Sequence, residues 1–454
     1  MDLAAPARTL AWRHGEAIAA AQCIAEAAAL AERLPASGQP VNLCSDRYLF
    51  TLGFIAALLR GQTSLMPPNA MPHTLRQLGE GGPAPYALID DPNQDTGGLP
   101  SIVVTRPAGV AAGNAALAVD RSQWAACLLT SGSTGAPQPQ HKRWDALQRS
   151  IDAEARSLCA LLQWPTIGGL NIVATVPPQH SYGFESSVLL ALLGGAAFDA
   201  GRPFYPADIA DTLARLPRPR ALVTTPVHLK ALLLSGASLP PVDLVLSATA
   251  PLSPQLALQT EAQLQGRLVE IYGCTEAGQV AARRTTATDV WTTLDGLRIE
   301  REAADDGDRF SVSGGHVLAP TPLADQLELI DATHFRLLGR ANDLIHVAGK
   351  RSSLAHLNFH LNRIDGVDDG VFWLPDDVAD GVVRLVAFVV APTLSARQII
   401  AALRPRVESA FLPRRVIHVT SLPRQATGKI TAQALREFAL QTLAQLDTRE
   451  GKSG

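Results

Sequence analysis

A run of small hydroxyl residues and glycines, Leu128-Leu-Thr-Ser-Gly-Ser-Thr-Gly-Ala-Pro137, grows directly out of the apolar stretch Trp124 to Leu129. Gly132 and Gly135 let the backbone turn tightly and approach a ligand. Thr130, Ser131, Ser133 and Thr134 add hydroxyls to the exposed N–H groups. A loop of this composition at the end of a buried strand is suited to surrounding phosphate oxygens. It is not the nucleoside-triphosphatase loop, which needs Gly, four residues, then Gly-Lys-Ser/Thr, a frame that neither Gly349-Lys350 nor Gly428-Lys429 satisfies. Gly79-Glu-Gly81-Gly-Pro-Ala84 has the spacing of a dinucleotide fingerprint, but Pro83 and the strand-like Tyr86 to Ile89 after it mark a turn.

Three further motifs follow in order: Glu270-Ile-Tyr-Gly-Cys-Thr-Glu276, then Gly339-Arg-Ala-Asn-Asp-Leu-Ile-His-Val-Ala-Gly-Lys-Arg351, then Leu422-Pro-Arg-Gln-Ala-Thr-Gly-Lys429. Together with the opening loop, this set resembles the adenylate-forming superfamily of acyl-CoA synthetases, peptide-synthetase adenylation domains and luciferases. The resemblance is strong from Leu128 to Arg436 and faint before Trp124. It implies an enzyme that joins a carboxylate to the α-phosphate of ATP with magnesium, releasing pyrophosphate, and then passes the acyl group to a thiol. The implied acceptor is the phosphopantetheine thiol of coenzyme A or of an acyl carrier protein.

The resemblance also assigns roles. Thr130, Ser131, Gly132, Ser133, Thr134 and Gly135 would hold the β- and γ-phosphates, with Thr134 and Glu276 on magnesium. Tyr272 and Gly273 would lie against adenine on one side and Ala250-Pro251 on the other. Thr275 would touch the α-phosphate, Asp325 and Arg340 the ribose, and Arg351 the phosphate region. Asn342 stands at the hinge position, and Lys429 would bridge carboxylate and α-phosphate. Two departures stand out. Gln138 replaces a usual lysine and brings no charge, leaving Lys142 and Arg143 as the nearby cations to compensate; Ala248 and Thr249 stand where glycines are common.

Gln179-His180-Ser181-Tyr-Gly-Phe-Glu185 resembles the segment bordering the acyl pocket, with His180 where amino-acid-activating relatives carry an aspartate. That aspartate pairs with an α-ammonium, so its absence points to an uncharged acyl or aryl tail. Thr224, Thr225, Ser247, Cys274 and Gly278 are the other expected pocket residues, their small polar surfaces suiting a compact aromatic acid such as a hydroxybenzoate.

These motifs need a large scaffold. The chain has 454 residues, 47% of them hydrophobic, enough for two or three domains. Short apolar runs alternate with helical stretches at 126–129, 171–176, 221–224, 244–247 and 268–271. This predicts an α/β fold of parallel sheets covered by helices, with ligands gathering at the carboxyl ends of the strands. The pattern turns antiparallel from Asp308 to Leu338. The resemblance implies an N-terminal domain over 1–339 and a mobile α+β domain over 340–454, of ~110 residues, a usual size for a compact unit. Helices are expected over 15–34, from Asp46 toward Arg60, over 354–364, 395–411 and after Thr431, with strands at 41–44 and 383–390. Net charge is −3 without a basic tract, which gives nucleic acid no electrostatic footing. No run approaches the ~20 apolar residues of a membrane span. Cys23, Cys44, Cys127, Cys159 and Cys274 form no CxxC pair, which fits reduced thiols in a cytoplasmic protein. Only five of the 39 basic residues are lysine: Lys142, Lys230, Lys350, Lys429 and Lys452.

Overall fold

Strands covered on both faces need no polar alternation, so they read as continuous apolar runs. Asn171–Ala174, Arg220–Thr224 and Leu244–Ser247 are buried at every position and lie side by side in parallel, with Arg267–Cys274 next to them. The computed structural model describes residues 6–67, 70–71, 74–75, 78, 84–112, 119–131, 137–303, 308–340, 344–347, 350–375, 385–424 and 430–450.

These strands are the centre of an eleven-stranded sheet. On one flank lie Ala197–Asp199, Thr9–Arg13 and Glu16–Ala19; on the other, Gly278–Arg283, Trp291–Thr293, His334–Arg340 and Asp325–Leu329 continue it as an antiparallel wing. A second sheet of six strands runs Ser101–Val103, Pro85–Ile89, Gln39–Asn42, Ser64–Met66, Trp124–Ser131, Pro137–Arg143, parallel except for its last pair. One apolar core joins the two sheets through the helices Arg47–Leu59 and Trp144–Leu162. At its middle the rings of Phe54 and Phe184 meet edge to face at 5.0 Å. Asp46 caps the first of these helices by accepting from the Leu49 amide at 3.0 Å, as its position predicts.

Beyond Arg340 the elements are smaller. A hairpin of Leu344–Val347 with Lys350–Ser353 precedes a three-stranded sheet, Asp369–Trp373, Val386–Val390 and Arg415–His418, accompanied by helices Leu354–Leu361, Ala396–Leu403 and Ala432–Glu450. Among the described residues their apolar clusters, around Leu361 and Phe372 and around Phe388 and Leu422, share no member with the cores of the large sheets. The two parts touch where Lys230 Nζ donates to the Asp368 carbonyl and Gln255 Nε2 donates to the Arg363 carbonyl at 2.9 Å. The expected α/β architecture with a smaller α+β part is what the chain adopts.

Two expectations are corrected. The alanine-rich helix begins only at Ala20, because the chain reverses at His14 and Gly15, both at positive φ, and Glu16–Ala19 joins the sheet edge beside Thr9–Arg13. The helix expected over 395–411 ends at Leu403, since Pro405 cannot continue it; a 3-10 turn, Ser409–Phe411, follows separately.

Candidate active site

The carboxyl ends of the parallel strands line up. Thr175 Oγ1 lies 2.8 Å from both Thr224 Oγ1 and His228 Nδ1, and Thr225 caps helix Pro226–Leu234 by accepting from the His228 amide at 3.4 Å. Ser247 ends the next strand opposite Thr224; it is fully buried, and its hydroxyl has no hydrogen-bond partner among the described residues. The turn carrying Ala250 and Pro251 follows. Thr249 sits there at φ +78°, so the backbone keeps the left-handed bend that glycine would supply freely, at the expense of a β-branched residue. Glu270 anchors this turn to the Tyr272 strand: its Oε1 accepts from the Leu252 amide at 3.3 Å, while Oε2 receives Arg283 at 2.7 Å and the Thr285 hydroxyl at 2.8 Å.

Tyr272 and Asp325, distant in sequence, are brought together. The Tyr272 hydroxyl donates to Asp325 Oδ2 at 2.8 Å, and Asp325 is the direct cross-strand partner of Arg340. The tyrosine ring is held by Trp291 and Phe335, each with its centroid 5.7 Å away. Past Tyr272 the strand bulges and turns back through Thr275 and an exposed Glu276. Gly273 is required at this bend, since a Cβ there would run into the carbonyl oxygen of Gly278. Cys274 is half-buried, accepts from the Ala277 amide at 3.5 Å, and has its thiol pushed up to about 11 chiefly by burial.

Thr130 and Ser131 end one strand of a hairpin, opposite Gln138 and Pro137. Gly132, Ser133, Thr134 and Gly135 lie outside the described residues, as do Asn342 and Lys429. Arg351 is placed by its backbone, opposite His346. Lys142 is on the same strand face as Gln138 but four residues away, about 13 Å along a strand. It therefore does not replace a cation at the loop tip. Its ammonium donates instead to the carbonyl of Glu276 at 2.8 Å. Arg143 is engaged elsewhere, on Asp145 at 2.8 Å.

His180 leads into the helical segment Ser181–Leu192, its carbonyl accepting from the Phe184 amide at 2.7 Å. A π-helical turn, Phe184–Leu189, interrupts that segment, a distortion that favours functional sites. It carries residues the sequence reading missed. Glu185 is buried and accepts from the Ser181 hydroxyl at 2.6 Å; burial raises its pKa, and Lys142 opposes that rise. Glu154 is completely buried, and its carboxyl is pushed up to about 8 by burial, so it is largely neutral at pH 7. The Ser186 hydroxyl donates to Glu154 at 2.8 Å and accepts from Gln279 Nε2 at 3.0 Å. His316 is buried, with neither ring nitrogen partnered among the described residues; burial, then the Lys142 charge, push it down to about 4. A cavity of about 210 Å³ behind the Glu276 loop is lined by Lys142, Ser150, Glu185, Gly278 and His316. A carboxylate inside an apolar segment, as in Phe184-Glu-Ser-Ser-Val188, was the available sequence signal for this cluster.

Comparison with known proteins agrees with this geometry. Residues 83–303 match the family described as AMP-binding enzyme. A 4-coumarate–CoA ligase of Rhodobacter capsulatus is 32% identical over 308 residues, 67% of this chain and 74% of that protein. A 3-hydroxybenzoate–CoA/4-hydroxybenzoate–CoA ligase of Thauera aromatica is 30% identical over 112 residues, 23% of this chain and 21% of that protein. In fold, ATP-bound MatB from Rhodopseudomonas palustris is similar with a TM-score of 0.78 at 20% identity, covering 96% of this chain and 97% of that one.

Proposed function

Because the chain belongs to the adenylate-forming family of AMP-binding enzymes and is an acid–thiol ligase, we propose that it activates a small aromatic acid, such as a hydroxybenzoate, as its adenylate. It then hands the acyl group to the phosphopantetheine thiol of coenzyme A or of an acyl carrier protein. The observation that carries the nucleotide half of this reading is the contact between Tyr272 and Asp325, with Arg340 opposite the latter. It puts an aromatic ring and a carboxylate suited to ribose hydroxyls at one place on the sheet, with the Arg340 backbone paired opposite that carboxylate.

Each residue then has a task. Thr130 to Gly135 cradle the β- and γ-phosphates, Ala250 and Pro251 close over adenine, and Thr275 and Lys429 meet the α-phosphate. Arg351 belongs to the phosphate side. Glu276 offers a hard oxygen ligand on an exposed loop, which suits magnesium held together with phosphate oxygens and the Thr134 hydroxyl. When bound, magnesium would neutralise phosphate charge. His180, Ser181, Thr225, Ser247, Cys274 and Gly278 border the acid. The unpartnered, buried Ser247 hydroxyl at the strand ends supports a substrate that carries a polar group of its own. The domain boundary is set at 339/340. A turn about Asn342 would exchange the face of the C-terminal domain that covers the adenylate for one that admits the thiol.

Pyrophosphate release from ATP with a panel of benzoates, cinnamates and fatty acids tests the reading; release with hydroxylated aromatic acids is expected, and release with none would refute it. Repeating the assay with coenzyme A and with phosphopantetheinylated carrier protein, and weighing the thioester by mass spectrometry, identifies the acceptor. Lys429→Ala is expected to lower pyrophosphate release by at least about 100-fold while sparing thioester formation from supplied acyl-adenylate. Unimpaired adenylation would remove Lys429 from its role.

A further inference from the structure

Resting on the adenylation reading above, we propose that Lys142 is a positioning residue for magnesium·ATP: its ammonium fixes the backbone of the Glu276 loop. It is also the link through which the acyl-site helix reaches that loop. Gln138 leaves the phosphate-loop hairpin without the cation usual in that motif, and Lys142 stands too far down the same strand face to supply one at the tip. What Lys142 does hold is the Glu276 carbonyl, at 2.8 Å. A carbonyl accepting from an ammonium makes a stronger tie than a neutral hydrogen bond.

The tie falls where the loop needs it. Cys274 and Gly278 pair across the base of the turn, and the Ala277 amide reaches the Cys274 sulfur at 3.5 Å, so one side is closed locally. Glu276 projects from the other side with its carboxylate exposed, and its peptide plane is oriented by Lys142. The lysine is in turn flanked by Glu185 of the segment that starts at His180. That carboxylate is buried, held by Ser181 at 2.6 Å, and attracts the ammonium. Gly278 lets it come close: a Cβ at this position would lie 3.2 Å from Glu185 Oε2 and 3.7 Å from His316 Nε2. Glu185 and Lys142 thus line one cavity behind the metal-binding loop, which puts the acyl-site segment within electrostatic reach of the cation that orients that loop. His316 forms another wall of the same cavity. In a chain that otherwise uses arginine for its cations, a slender ammonium fits this half-buried place.

Calorimetric titration of the folded protein with ATP, in the presence and absence of magnesium, tests this without turnover. Wild type is expected to bind ATP more tightly with magnesium. Lys142→Met is expected to lose about tenfold of that magnesium-dependent gain while metal-free ATP affinity stays within about twofold; Lys142→Arg recovers part of it. Glu185→Gln shifts the gain in the same direction by a smaller factor. A merely structural role would weaken both titrations equally. If Lys142→Met keeps the full magnesium gain, the proposal is overturned. Should that variant fail to fold, an unchanged gain in Glu185→Gln overturns it instead. A wild type that binds no ATP in either titration sinks the adenylation reading itself, an outcome distinct from a normal wild type with indifferent variants.

Discussion

Asp325 and Arg340 pair on the antiparallel wing at one end of the large sheet, and Tyr272, on the last of the parallel strands, is joined to Asp325 by a hydrogen bond. Glu154, Glu185, Ser186 and Gln279 lie inside, between the helix Trp144–Leu162, the π-helical turn and the strand Gly278–Arg283, and there Glu154 Oε2 and Gln279 Oε1 have no partner among the described residues. The first region leaves its carboxylate half-buried, hydrogen-bonded to a tyrosine. The second buries Glu154 completely, and that burial pushes its carboxyl up to about 8.

The contrast can be broken most forcefully at Glu154. Its folded-state pKa of about 8 stands above the ordinary 4.5, so the unfolded chain loses this proton first as pH rises. Stability should therefore fall between those two values and level off above the higher one, by up to about 5 kcal/mol. Glu154→Gln keeps the acceptor for Ser186 and removes the titration. Its stability advantage over wild type, from urea unfolding at a series of pH values, should widen across that window; parallel curves would mean the interior carboxyl is not held neutral. Next in size is Asp325→Ala, which removes the proposed ribose acceptor and the Tyr272 partner together. It should raise the KM for ATP roughly 10- to 100-fold with a thermal midpoint close to wild type, as expected for a hydrogen bond to a charged group. An unchanged KM would dissolve the nucleotide side of the comparison. The smallest effect belongs to Thr249→Gly. Relief of a strained β-branched residue at φ +78° outweighs the added freedom of the unfolded chain, giving about 0.5–1 kcal/mol of stabilisation by thermal melting. A loss of stability would show that the threonine side chain is held there by contacts that matter more than its backbone.

The same two regions differ in how far the sequence revealed them. The proposed nucleotide side rests on compact strings with fixed order: Tyr272 to Glu276 is one such string, and Asp325, at a set distance before Arg340, is brought by the fold to the Tyr272 hydroxyl. The strands beneath it were readable as well, since Ala221 to Thr224 and Leu244 to Ser247 have no polar face to confuse the pattern. The interior cluster was not, because Glu154, Glu185 and Gln279 come from three separate elements, His316 from a turn, and no spacing links them. The edge strand Glu16–Ala19 was misread as helix because alanine-rich composition outweighed the reversal at His14 and Gly15. The π-helical turn left no periodic trace that could be told from an ordinary helix.

The contacts between the two parts of the chain carry one more consequence. Lys230 and Gln255 end on the backbone carbonyls of Asp368 and Arg363, and Gln255 also meets the Asp365 carboxylate at 3.0 Å. Such ties, mostly at the surface, are readily traded for water, each at about 1 kcal/mol or less. If the C-terminal unit turns about Asn342 as proposed, giving up these particular ties would cost it little, and the occupant of the cleft could then set its orientation.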